Sequence, residues 1–270
     1  MRNAMRSAMR GRMRWMGALL ALPVLVACDE NKEKELLAKV TDSAPPPAAT
    51  VSAAPVATAA AAPARKTYKC GGGPDVDFHG NTALEAEVRK KLGKDAGTVM
   101  QTDLKSIKSI NLTQATVDDL DPCIFPFFTG MKDLFLGPGE LDDLSPIAGL
   151  TQLVSLRVSI NKVSDLKPLT KLTAMDRLDL GRTAVHDIAP LANMAALTEL
   201  QLDDTQVTDI SPLKSCKNLE KLSIRHTPVH DLSPLKDAKK LRFVYIEGAP
   251  IEDTNVLNAI SGVRIVRKGS

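Results

Sequence analysis

Cysteine, histidine and aspartate are the side chains through which this chain could ligate a metal, cross-link or catalyse, and their spacing sorts those options. Six aspartates, Asp143, Asp165, Asp187, Asp209, Asp231 and Asp253, fall 22 residues apart. A row of carboxylates can hold cations. Here, though, each one opens an Asp-Leu-x-Pro-Leu-like string, in which the carboxylate accepts the free N–H groups of a turn. The proline then takes a first-turn position that needs no donor. A structural cap, needed once per repeat, is the reading taken. The four histidines, His79, His186, His226 and His230, do not gather. His186 and His230 share a column but stand two rows, about 10 Å, apart, too far for one ion. Cys-x-x-Cys and nucleophile-elbow strings are absent. The chain therefore reads as a non-enzyme, with no metal and no cofactor expected.

Of the four cysteines, Cys28 closes the string Leu25-Val26-Ala27-Cys28. Before it come five arginines (Arg2, Arg6, Arg10, Arg12, Arg14), no acidic residue, and an apolar run from Trp15 to Ala27. That run is shorter than the ~20 residues a permanent bilayer-spanning helix needs, so residues 1–27 read as a signal peptide. The string ending at Cys28 resembles the bacterial lipobox. The resemblance implies cleavage before Cys28, lipidation of its thiol and stable attachment to a membrane. Everything downstream is then exported and lies in a bacterial cell envelope, periplasmic or surface-facing. Without the five leader arginines the 35 basic residues fall to 30 against 32 acidic ones. The basic balance thus belongs to the leader, and with no later Lys/Arg run nucleic acid is not an expected partner. Residues 28–69 read as a tether. Asn31 to Asp42 is charged, and Ala44 to Ala64 is almost wholly Ala, Pro, Thr, Ser and Val, which cannot build a core. Extended at ~3.1 Å per residue, the tether reaches on the order of 100 Å.

The elements that must position the remaining residues follow from the repeat. In the frame of the aspartates a Leu-x-x-Leu-x-Leu string recurs: Leu153/Leu156/Val158, Met175/Leu178/Leu180, Leu197/Leu200/Leu202, Leu219/Leu222/Ile224 and Leu241/Val244/Ile246. Met131/Leu134/Leu136 fits upstream, Ile107/Ile110/Leu112 fits with two extra residues, and Val263/Val266 makes a truncated last row. An inward Asn161, Thr183, Thr205 or Thr227 follows the strand, then a second apolar column at Leu141, Val163, Val185, Val207, Val229 and Ile251. The pattern predicts an α/β solenoid, the leucine-rich-repeat horseshoe. It has a parallel sheet on the concave face, 3-10 or turn segments on the convex side, and about seven repeats over 106–270 plus the truncated strand. These rows resemble those of internalin-type bacterial leucine-rich-repeat proteins. The stretch Leu84 to Lys94, with Thr98-Val99 and Asp103-Leu104, is similar to their helical N-terminal cap, placed here at 70–105. The resemblance implies the fold and a binding role. Threonine largely replaces the inward asparagine, and no Ig-like module follows, so no particular receptor is implied.

With the frame set, Cys216 falls in a column with Leu172, Met194, Ala238 and Ile260 and should be buried. Cys123, placed on the convex Leu column of the first row, lies about 19 Å from that row, beyond disulfide reach. Cys70 is left as its only candidate partner. On the concave face one outward column runs Asn111, Phe135, Arg157, Asp179, Gln201, Ser223, Tyr245, Arg267. The flanking ones carry Arg177, Glu199, Lys221 and Phe243, and Asp203, Arg225 and Glu247. Alternating charges pair across strands for tenths of a kcal/mol and keep the sheet soluble. Phe243 and Tyr245, beside Arg225 and near Arg267, have the aromatic-plus-Arg character of binding hot spots. Alternatively, the C-terminal tail covers them. The expected role is binding of a protein or peptide by a monomer through Phe135, Arg157, Arg177, Asp179, Arg225, Phe243, Tyr245 and Arg267. The alternative is an envelope spacer without a high-affinity ligand.

Overall fold

The computed structural model describes residues 66–267. The signal peptide, Cys28 and all of the tether before Lys66 lie outside the described residues. Eight strands, β1 (Ser109–Leu112), β2 (Asp133–Leu136), β3 (Ser155–Arg157), β4 (Arg177–Asp179), β5 (Glu199–Gln201), β6 (Lys221–Ser223), β7 (Phe243–Tyr245) and β8 (Arg264–Val266), form one parallel sheet in sequence order. A 3-10 turn follows each of β1 to β7, from Phe125–Phe127 in the first row to Asn255–Ala259 in the seventh. The strands are short because only the middle of each Leu-x-x-Leu-x-Leu string alternates: Leu134, Leu156, Leu178, Leu200, Leu222 and Val244 point inward and are buried. They stack in register with one another. The convex columns, Leu144 to Leu232 and Ile147 to Leu235, close the same core. Each buried aliphatic side chain contributes about 2 kcal/mol, and the stack as a whole makes three-residue strands stable.

The aspartate row caps turns. Asp143, Asp165, Asp187, Asp209, Asp231 and Asp253 each accept the backbone N–H two residues on, at 2.7–2.9 Å. The Ser211 amide and hydroxyl hold the Asp209 carboxyl below the usual carboxylate range, and the Ser233 hydroxyl and amide do the same for Asp231. Inward threonines serve their own row: Thr183, Thr205 and Thr227 donate to the carbonyls of Leu180, Leu202 and Ile224, each at 2.7 Å. Asn161 does more. Its Nδ2 donates to Gly137, Val158 and Ser159 carbonyls at 3.0, 3.2 and 3.1 Å, and its Oδ1 accepts from the Leu141 amide at 3.2 Å. It therefore ties two rows, which a threonine is too short to do.

Both ends depart from the 22-residue period. Asp121 accepts the Cys123 amide at 2.7 Å, the same bond that Asp143 makes to Ser145. Asp121 is therefore a seventh cap, and the two extra residues of the first row lie before it. Cys123 consequently does not occupy the convex Leu column. Buried Phe125 does, and Cys123 sits half-buried on the outside of the turn. Gly137 accommodates the enlarged row: a Cβ there would meet the Ala115 carbonyl oxygen at 1.9 Å. At the far end Phe243 pairs with Arg264 and Tyr245 with Val266, a step of 21 residues, so Ile265 rather than Val266 continues the inward column.

An N-terminal unit covers the open end of the core. Helix α1 (Thr82–Leu92) starts at Asn81, whose side chain accepts the Leu84 amide at 3.0 Å, and ends at Gly93 in the left-handed region (φ 64°). It buries Leu84 and Val88 against the first row. A single turn, α2 (Gln101–Leu104), inserts Leu104. Cys70 and Cys123 are disulfide-bonded with Cα atoms 5.2 Å apart, while Cys216 is a buried free thiol whose pKa burial raises. Beside the disulfide, His79 Nδ1 lies 2.6 Å from Asp121 Oδ2, and the His79 ring meets Tyr68 edge-on. Tyr68 in turn donates to Asp119.

Candidate functional site on the outer face of the sheet

The outward residues of the strands are positioned by the buried residues between them, so the register fixes which side chains meet. Phe243 and Tyr245 leave the same face of β7 and stack, ring centroids 6.4 Å apart and 20° from parallel. Neither belongs to the hydrophobic core. The Arg225 guanidinium lies over the Tyr245 ring at 4.5 Å, and Lys221 Nζ is 6.0 Å from the same centroid. Stacking over a ring favours arginine because its flat, weakly hydrated cation meets the negative π face. Asp203 shapes this corner. Its Oδ1 accepts the Ser223 hydroxyl at 2.6 Å and the Arg225 amide at 2.8 Å, and its Oδ2 is 3.7 Å from Arg225 Nη1. Strand β8 extends the sheet beside the rings, placing Arg264 next to Phe243 and Val266 next to Tyr245.

The other expected site residues are placed as follows. Arg157 and Asp179 are neighbours on β3 and β4, 3.3 Å apart, and Arg157 Nε also donates to Ser159 at 3.0 Å. Arg177, exposed on β4, is 3.7 Å from Asp176. Phe135 lies between Asn111 and Arg157, five strands and about 24 Å from Tyr245, so it is no part of the aromatic pair. Arg267 does not reach the sheet face. The 21-residue last step takes it out of the Tyr245 column, and its guanidinium turns to the Thr254 hydroxyl at 3.0 Å and the Ile251 carbonyl. Val266 takes the place assigned to it, and Arg264 stands beside Phe243, a position sequence reasoning missed because a strict 22-residue period puts Ile265 there.

One spacing went unnoticed in the sequence: His226 and His230 stand four apart, which on a helix would put two imidazoles on one face. The segment leaves β6 as a turn instead. His226 Nδ1 faces Asp204 at 3.2 Å and His230 Nδ1 faces the Pro228 carbonyl at 3.0 Å. Among the described residues no three His, Cys, Asp or Glu side chains group to hold a metal. No helix among them is long and apolar enough to cross a membrane. A cleft of about 360 Å³ opens between the N-terminal segment and the first two rows. Its carboxylates are engaged: Asp119 with Tyr68 and Lys66, Asp118 with the Glu140 amide.

This architecture of stacked rows, each a strand, a capped turn and two apolar columns, is matched over residues 195–237 by the family model for leucine-rich repeats in two copies. The fold is a leucine-rich-repeat solenoid. Its outer sheet face is the concave surface of that fold. An internalin (inlF) from Listeria monocytogenes is 25% identical with a TM-score of 0.62, the match covering 68% of this chain and 54% of that one. The present chain thus spans about half the length of that internalin. An internalin C2 (inlC2) from the same organism is 26% identical, also at TM-score 0.62, covering 69% of this chain and 92% of that one. No curated protein matches the chain. Leucine-rich-repeat domains of this kind generally mediate protein–protein interaction and are typically binding scaffolds without catalytic activity.

Proposed function

We propose that this chain is an exported lipoprotein, anchored through Cys28 to a membrane of a bacterial cell envelope, that binds a protein or peptide as a monomer through its concave face. One observation carries the binding half: Phe243 and Tyr245, in a chain with six Phe and two Tyr, are placed outward and stacked with an arginine rather than buried in the core. A repeat has no use of its own for such a group. Its self-serving residues are on the inner columns and in the turn caps. Outward sheet residues are free to differ from row to row, and that is where a specific surface can be written. The anchoring half is supported by the arginine-rich leader, the apolar run and the Leu-Val-Ala-Cys string.

The spacer reading has its own support, because Arg157–Asp179, Lys221–Glu199 and Arg225–Asp203 pair with one another across strands. Affinity capture from envelope extract separates the two. One partner is expected to be enriched by the wild-type chain. Phe243→Ala with Tyr245→Ala should weaken its binding by about 2 kcal/mol, as truncation of aromatic anchors does. Lys167→Ala with Lys236→Ala, on the convex turns, should change little. An empty capture supports the spacer. Unchanged affinity with a lowered melting temperature would mean that the rings only cap the end of the solenoid.

A further inference from the structure

The aromatic pair has three basic residues around it, which narrows what it can bind. Lys221 on β6, Arg225 two residues past the end of that strand, and Arg264 on β8 flank Phe243 and Tyr245 on β7. Two of these basic residues have carboxylates within ion-pair reach but beyond hydrogen-bond distance. Glu199 is 3.9 Å from Lys221, and Glu247 lies beyond Arg225 with no ion pair formed between them. Asp203 spends Oδ1 on Ser223 and on the Arg225 amide, leaving Oδ2 3.7 Å from Nη1, longer than a hydrogen bond. Arg225 Nε is buried without a hydrogen-bond partner. In contrast, Arg157 Nε has both Ser159 and Asp179 as partners. Arg225 is thus a guanidinium held flat by a tyrosine ring and steered by a carboxylate, yet left short of acceptors. Its side chain is 34% exposed.

We infer that the partner segment docking at this end of the concave face presents a carboxylate to Arg225, Lys221 and Arg264 beside an apolar side chain that packs on Phe243 and Tyr245. The inference rests on the concave-face reading above and adds the chemistry of the ligand. A carboxylate matches the arginine fork geometrically, and the rings beside it exclude water, which strengthens the charged hydrogen bonds. An apolar neighbour uses the ring faces that Arg225 leaves open.

The test is a positional-scanning hexapeptide library on beads, screened with the full chain, followed by soluble peptides in matched Glu and Gln forms. Asp or Glu should be selected next to an apolar residue, and the Glu form should bind about tenfold more tightly than the Gln form. Raised salt should narrow that gap. Arg225→Gln should abolish the gap, Arg225→Lys should retain only part of it, and Lys167→Gln, on a convex turn, should leave it intact. Melting temperatures confirm that each variant is folded. Selection of apolar peptides with no acidic preference, lost on Phe243→Ala with Tyr245→Ala, would overturn the inference and leave concave binding standing. A Glu preference that survives Arg225→Gln, or no selection at all, also overturns it.

Discussion

Replacing Asn161 by alanine should destabilise the solenoid more than any comparable change at the inward polar column. Asn161 is 6% exposed and serves four backbone groups, two of them, Gly137 O and Leu141 N, in the preceding row. Alanine removes the acceptor of the buried Leu141 amide and the donors to three carbonyls that share two N–H groups. One buried group left unpaired costs about 1–3 kcal/mol. Because the carbonyls lose shared bonds rather than sole ones, the sum should be about 2–3 kcal/mol, not four times the single figure. For a domain of this size each kcal/mol moves the midpoint by about 2–4 °C, giving a fall of about 5–10 °C. Asn161→Thr should cost about half as much, because the hydroxyl can reach its own row's carbonyl as Thr183 and Thr205 do, but not the row before. Urea and thermal unfolding followed by circular dichroism measure both. An alanine variant within about 0.5 kcal/mol of wild type, inside the usual range of an inert substitution, would refute the reasoning. So would a threonine variant as unstable as the alanine one.

Three further outcomes are expected. Cys28→Ser should leave an unprocessed precursor that incorporates no labelled fatty acid, and normal processing of this variant would sink the lipoprotein reading. Peptide mapping without reduction should find Cys70 linked to Cys123 and Cys216 as a protected thiol. Closing a loop of 53 residues is worth about 4 kcal/mol in the chain-entropy account, and Cys70→Ser with Cys123→Ser should lower stability by up to that amount. Stability of the N-terminal unit should depend on His79, whose pKa is raised above its usual value chiefly by its hydrogen bond to Asp121. A raised folded-state pKa means the contribution is complete below the unfolded value of about 6.5 and is lost as pH rises through the higher folded one. Local hydrogen exchange in residues 78–92 should therefore quicken, relative to the rest of the solenoid, as pH rises through that window. His79→Gln should flatten the trend, and an unchanged trend in that variant would contradict the assignment.

The regular middle of the molecule was legible in the sequence because every row repeats the same three demands: an inward leucine pair, a polar filler and an aspartate cap. Columns read at 22-residue spacing coincide with the observed register from β2 to β7. The capping helix, expected from Leu84 onward, begins at Thr82 because Asn81 supplies the cap. The ends were less legible, since a terminal row has a neighbour on one side only and need not keep the period. Asp121 was passed over as a cap, and Cys123 was assigned to a buried column, because two additional residues precede them. Arg267 was placed on the sheet face and Arg264 was not, because the last step is one residue short. Whether an outward arginine's Nε finds an acceptor, as in Arg157, or is buried without one, as in Arg225, depends on ångström-scale geometry that spacing does not encode.

Hydroxyl-radical footprinting of the full chain with and without its captured partner tests binding through the concave face most directly, because Phe243 and Tyr245 are reactive reporters built into that face. Oxidation of both is expected to fall several-fold in the complex. Tyr68 and Phe127, partly buried at the N-terminal end, should react equally in the two states. Unchanged oxidation of Phe243 and Tyr245, with protection confined to the convex turns or the N-terminal unit, would contradict the account.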